Sequence, residues 1–272
     1  MLPLQDNIPS RTVPYVNYAV IACCALVFLM QLGDQPGKPS MVERFGMIPK
    51  RVIQPDARIE VQSLEEEETP FGVRQVVVTH EAAPAAVPPI MTLLTCVFLH
   101  GGWMHIIGNM WFLFIFGDNV EDRFGHVGYA IFYLASGIGA SLVHLVSEPS
   151  STIPTIGASG AIAGVMGAYF LWYRHAQVKA LVPLGIFIQI MVLPAWFFLG
   201  FWFVIQFLQG TMSSAAAESA GVAWWAHIGG FGVGFGLALL AEKWGLVQPL
   251  NLQRDNSRAV RYRMQPRYRD YY

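Results

Sequence analysis

The sequence predicts an all-α fold: a polytopic membrane bundle of six transmembrane helices, with a long extracytoplasmic loop between the first two. Three observations predict it. Of the 272 residues, 54% are hydrophobic and 13% charged, about half the charged share usual for a soluble domain. A spanning helix needs about 20 mostly apolar residues, and six segments qualify, at 15–32, 103–117, 127–146, 155–173, 182–208 and 224–243. The inner parts of these segments hold no Asp, Glu, Lys or Arg, each of which costs about 3 kcal/mol at the centre of a bilayer.

The first apolar run is too long for the core of a removable signal, and no small-x-small cleavage site follows it, so it is expected to stay as a span. Residues 1–14 then form a cytoplasmic N-terminus. The loop at 33–89 carries the acidic run Glu65 to Glu68, a short β-branched stretch from Arg74 to Thr79 that suggests a strand, and a proline-rich linker from Pro84 to Pro89. The second span is short, but apolar residues from Ile90 to Leu99 lead into it. The membrane domain is expected to cover 15–245, and 246–272 to form a basic cytoplasmic tail.

Lys and Arg in the short loops set the orientation. Loops 147–154 and 209–223 have none, whereas 118–126 and 174–181 carry Arg123, Arg174 and Lys179. Lys243, Arg254, Arg258, Arg261, Arg263, Arg267 and Arg269 follow at the C-terminal end. Both termini are therefore expected in the cytoplasm. The six basic residues of loop 33–89 are set aside, because a loop of that length crosses largely regardless of charge. Tyr15, Trp103, Trp172, Tyr173, Trp224, Trp225 and Trp244 fall near span ends, where amphipathic rings settle in the lipid bilayer.

A net charge of −1 and the lack of a basic stripe argue against nucleic acid as a partner. Cys23, Cys24 and Cys96 are odd in number and lie in apolar stretches, so neither a disulfide framework nor a zinc site follows.

Polar residues inside apolar spans invite a functional reading. Three groups are present. His100 is followed by His105 and Asn109, and the last two, four apart, share one helix face. Gly157, Ser159 and Gly160 open the fourth span. Ala226, His227 and Gly230 open the sixth. Each has a plainer reading. The small residues at four-residue spacing let helices pack closely in lipid, and a lone membrane histidine often bridges helices, as His144 is expected to do. His80, His126 and His175 are expected to be solvated in loops.

The orientation favours chemistry. The second, fourth and sixth spans run from outside to inside, so His105, Ser159 and His227 share one depth beneath the outer surface. Serine catalysis needs such a gathering of nucleophile, base and oxyanion donors. Ser159 would be the nucleophile and His227 its base. Asn109 and His105, with free N–H groups at the start of the fourth helix, would hold the oxyanion. With no carboxylate at that depth, the site reads as a Ser–His dyad needing no cofactor. A zinc site built on the histidines lacks a His-Glu-x-x-His pair, and an aspartyl site lacks its two aspartates.

With these motifs the chain resembles the rhomboid family of intramembrane serine proteases, from the first span to the sixth. The resemblance rests on His105-x-x-x-Asn109, Gly157-x-Ser159-Gly160, the Ala226 to Gly234 run, and Gly117-x-x-x-Glu121-x-x-x-Gly125. It implies a six-helix core, a Ser–His dyad, and cleavage of transmembrane protein substrates near the outer face. It also implies structural roles for His100, Glu121 and Arg123, and a bacterial plasma-membrane layout. The Trp-Arg pair that many members carry in the first loop is not found. Ala163 stands four residues after Ser159, where some members place a Tyr against the base, so His227 must be held from elsewhere. The alternatives are a catalytically inactive rhomboid-like protein that binds membrane clients, and a transporter.

Overall fold

The structure, a computed structural model, describes residues 1–35, 38–69, 72–185, 187–215 and 223–250. Arg254, Arg258, Arg261, Arg263, Arg267 and Arg269 of the expected basic tail lie outside the described residues.

In chain order the elements are β1 (Leu2–Asp6), α1 (Tyr15–Gln31), α2 (Met41–Phe45), α3 (Pro49–Ile53), β2 (Glu60–Thr69), β3 (Gly72–Glu81), α4 (Thr92–Thr95), α5 (Trp103–Ser147), α6 (Ser159–Trp172), β4 (Gln177–Leu184), β5 (Phe187–Pro194), α7 (Ala195–Ala215) and α8 (Trp224–Lys243). The protein is mostly helical. Among the described residues, three helices are long and apolar enough to cross a membrane: Trp103–Ser147, Ala195–Met212 and Trp224–Lys243. Tyr15–Gln31, Pro89–Phe98 and Ser159–Trp172 are shorter apolar helical stretches.

The long helix α5 takes in the second and third expected spans. Gly125, at φ 69° and ψ 166°, breaks it into two arms, a backbone conformation that glycine adopts without a Cβ penalty. Beside the break, Glu121 accepts the N–H groups of Val16 (3.0 Å) and Asn17 (2.8 Å), the free donors that open α1. Asn17 in turn donates to the Leu113 carbonyl and accepts the Tyr129 hydroxyl. Arg123 lies over the Trp172 ring at 4.7 Å and donates to Glu242 of α8. Glu121 and Arg123 thus tie neighbouring helices to this corner.

Two features correct the all-α expectation. The segment expected as a fifth span from residue 182 is not helical until Ala195. Gln177–Leu184 and Phe187–Pro194 form the hairpin β4–β5, and β1 pairs antiparallel with β4 to complete a three-stranded sheet in the order β1-β4-β5. The local reason is legible: Val, Ile and Leu dominate both arms, Pro183 and Pro194 suit helix interiors badly, and Gly185 takes φ +64° at the turn. In the first loop, β2 and β3 pair over their whole length, so the strand foreseen at 74–79 runs from Gly72 to Glu81.

Loop contacts sort the connections into two ends. At one end, β1 joins β4, Asp6 accepts from Asn119, and the backbone N–H of Gln248 reaches the Arg123 carbonyl. Residues 1–14 are therefore built into this end. At the other end, Met47 bridges Thr155 and Lys50 reaches Ser151, so the first loop packs on the connection after α5. Arg51, 6% exposed, gathers the carbonyls of Glu43, Gly46 and Ala83 and gives this loop a fixed core.

Candidate active site

Small residues position the site. The carbonyl of Gly160 on α6 would lie 2.0 Å from a Cβ placed on Gly230 of α8, and a Cβ on Gly160 would lie 2.6 Å from the Ala140 side chain. Such contacts allow backbones to approach as closely as lipid-embedded helices can. They bring the first turns of α6 and α8 side by side. Ser159 opens α6 and His227 sits in the first turn of α8. Their side chains meet, with Ser159 Oγ 2.7 Å from His227 Nε2.

The His105 ring is oriented by the backbone just before its helix. The Gly101 N–H donates to His105 Nδ1 at 3.2 Å, so in the neutral ring Nε2 carries the hydrogen. That nitrogen faces Gly157, where a Cβ would meet it at 2.7 Å. Gly157 also takes φ +124°, and its N–H donates to the Cys96 carbonyl. The approach to Ser159 thus needs glycine on two counts. Asn109 is buried, and its Nδ2 has no partner among the described residues. His105, Asn109, Ser159 and His227 all line one cleft of about 770 Å³, with Phe112, Met166 and Trp202 on its walls. His100 lies behind it, buried, its ring edge-on to His105 at 5.2 Å. Its backbone is bracketed by the Gln31 amide.

Two residues near His227 were not foreseen. Gln206 of α7 places Oε1 2.6 Å from His227 Nδ1. The Trp202 ring lies 6.0 Å from the imidazole, tilted by 36°. The signal for Gln206 was present: it is a lone amide in the aromatic run from Trp196 to Leu208, and an intramembrane polar group warrants a reading. For Trp202 there was none, since an aromatic there reads as lipid-facing. Of the other histidines, His175 lies exposed in a turn as expected, whereas His80, half-buried, and His126, exposed, sit on a strand and a helix. His80 lies on β3 at 3.4 Å from Glu43, and His126 bonds Glu121. His175 accepts from Arg174. His144 is buried, but its Nδ1 bridges to no helix among the described residues. Among the described residues no group of three or more His, Cys, Asp or Glu is placed to hold a metal ion.

A helical membrane protein with a serine and a histidine in contact at one end of the bundle belongs to a narrow class, and comparison with known proteins agrees. The Rhomboid domain family matches residues 89–243, and the chain belongs to the rhomboid family. The match starts just before α4, so α1 and the first loop, included in the expected resemblance, lie outside it. Similar proteins include RHOMBOID-like protein 5 of Arabidopsis thaliana, 38% identical over 76 residues, which are 28% of this chain and 25% of that one. Rhomboid-like protein 11, chloroplastic, of the same plant is 34% identical over 112 residues, 40% of this chain and 39% of the relative. The Bacillus subtilis (strain 168) protein named "Putative rhomboid protease YdcA" is 35% identical over 77 residues, 28% of this chain and 38% of the relative. The matched stretches thus span from a quarter to two fifths of these relatives.

Proposed function

We propose that the chain is an intramembrane serine endopeptidase that cleaves transmembrane segments of other membrane proteins near the extracytoplasmic face. The observation that carries this reading is the 2.7 Å contact between Ser159 Oγ and His227 Nε2 in a largely apolar cleft that His105 and Asn109 also line. In the proposed reaction, His227 Nε2 takes the Ser159 proton as Oγ attacks the scissile carbonyl. The carbonyl oxygen becomes an oxyanion, held by the Asn109 amide, the His105 Nε2–H and the free N–H groups that open α6. Collapse expels the amine, which receives the proton from His227. Water, activated by the same imidazole, then hydrolyses the acyl-enzyme.

The proposed topology has six spans over 15–245, formed by α1, the two arms of α5, α6, α7 and α8, with 33–89 outside and both 1–14 and 246–272 in the cytoplasm. The end bearing Asp6, Arg123 and Gln248 would be cytoplasmic, and the end bearing Met47 and Thr155 would face out with the cleft. We place the protein in a plasma membrane of the bacterial kind. The relative named as chloroplastic makes an organellar membrane the competing location.

The test is cleavage of a transmembrane substrate by the purified protein in detergent or vesicles. The wild type should cut and Ser159→Ala should not. An uncut substrate panel with folded wild type would favour a client-binding role. A cysteine placed at Asp56 should react with an impermeant reagent in intact cells, and protection there would overturn the orientation.

A further inference from the structure

We infer that Gln206 is a positioning residue that selects the tautomer of His227 competent to act as a base. The inference rests on the reading of Ser159 and His227 as a catalytic pair. Both ring nitrogens of His227 are engaged, Nδ1 by Gln206 Oε1 at 2.6 Å and Nε2 by Ser159 Oγ at 2.7 Å. An amide oxygen can only accept, so at that distance Nδ1 must carry the hydrogen. Nε2 of the neutral ring then presents its lone pair to the Ser159 hydroxyl, as a general base requires. The opposite tautomer would set two lone pairs against each other at Nδ1. It would also turn Nε2 into a donor toward the oxygen it has to activate.

The amide is built in rather than incidental. Trp202, Gln206 and Gly210 stand at four-residue intervals on α7 and form one row facing the start of α8. Trp202 covers the imidazole, and Trp224 meets its edge at 5.9 Å. Gly210 lets α8 close on the row, since a Cβ there would lie 3.2 Å from Cβ of Trp224. Gln206 itself is 7% exposed. A neutral acceptor also suits this depth: it fixes the ring and stabilises the imidazolium that forms, without placing a permanent charge in an apolar helix.

The experiment compares full-length wild type, Ser159→Ala, Gln206→Leu and Gln206→Glu in detergent, by steady-state cleavage and by ¹⁵N spectra of labelled histidine. Wild-type His227 should show the Nδ1–H tautomer. Gln206→Leu should lower kcat by at least about tenfold, bounded by the ~10⁴-fold loss that a wrong tautomer causes in a serine triad, with KM little changed. Its spectrum should gain the Nε2–H form. Gln206→Glu keeps an oxygen acceptor at the same reach and should recover much of the lost kcat. Wild-type kcat in folded Gln206→Leu, beside an inactive Ser159→Ala, would overturn the inference and leave the dyad standing. An Nε2–H tautomer in the wild type would overturn it even if Gln206→Leu fails to fold. Cleavage by Ser159→Ala would instead remove the reading beneath it.

Discussion

Gly230 faces Gly160 so closely that a methyl group on Gly230 would come within 2.0 Å of the Gly160 carbonyl oxygen. Ser159 precedes one of these glycines by one residue and His227 precedes the other by three. The spacing of α6 and α8 therefore sets the spacing of the two reactive atoms. Gly230→Ala should force the helices apart, at a cost of about 1–3 kcal/mol for inserting a methyl where there is no room. Activity should fall further than stability, because hydrogen-bond reach between Ser159 and His227 is lost with the contact. Gly236 is on the same helix, and a methyl group added there would meet nothing within 4 Å, so Gly236→Ala should leave both within error or gain slightly from helix propensity. Thermal unfolding and turnover of the two purified variants make the comparison. Equal behaviour would remove the close contact as the reason for the site's geometry.

Glu121 illustrates a carboxylate that matters without chemistry. It is buried and receives two backbone N–H groups that open α1 as well as His126 Nδ1, at the end of the bundle away from Ser159. Glu121→Ala leaves those donors unpaired and should cost about 1–3 kcal/mol. Turnover per folded molecule should stay within the wild-type range. Unfolding midpoints with active-site titration separate the two effects. A folded variant whose chemistry falls by orders of magnitude would mean that the carboxylate takes part in catalysis.

Much of the site was legible because its chemistry is concentrated. His105, Asn109, Ser159 and His227 are polar groups in apolar surroundings, and reading the spans as alternating in direction puts three of them at one depth. The loop contacts supply the geometric counterpart, with Met47 against Thr155 at one end and Leu2–Asp6 against β4 at the other. Two features escaped hydropathy. Residues 182–194 are apolar enough for a span, and hydropathy cannot tell a helix from a hairpin whose prolines and Gly185 refuse the helix. Gln206 was hidden by the same averaging, since one amide barely lowers the hydropathy of an aromatic helix. Its partner is fixed only by how α7 lies on α8, which the one-dimensional pattern does not contain.

Asp6 gives a pH dependence that arises outside the spans. It accepts the Tyr169 hydroxyl at 2.5 Å and an Asn119 N–H at 2.9 Å. Burial pushes its carboxyl up from the ordinary 3.8 to about 7, against the opposing pull of the Tyr169 hydrogen bond. Between about pH 4 and 7 the folded protein keeps a proton that the unfolded chain has released. Stability should therefore fall as pH rises through that window. Asp6→Asn keeps a neutral amide and should flatten the dependence. In detergent the wild-type Tm should be lower at pH 8 than at pH 5 by on the order of a few degrees, and the variant should lose part of that difference, the remainder belonging to Asp118, whose carboxyl burial also pushes up to about 7. A pH dependence that is the same in the wild type and in Asp6→Asn would show that Asp6 does not carry it.

Ser159 and His227 should fail together if their 2.7 Å contact is the reactive one. Residues acting as a unit give losses that do not add. Ser159→Ala and His227→Ala should each abolish cleavage, by about 10⁴-fold or more where the assay permits. The double variant should be no worse than either single one. All three should still insert and fold, because alanine suits a small-residue interface between membrane helices. A serine-directed phosphonate should label Ser159 in the wild type and label it weakly in His227→Ala, since an unassisted hydroxyl is a poor nucleophile. Additive losses would mean that the two side chains contribute through separate routes, one of them outside the chemical step. Wild-type labelling in His227→Ala would mean that another group activates Ser159.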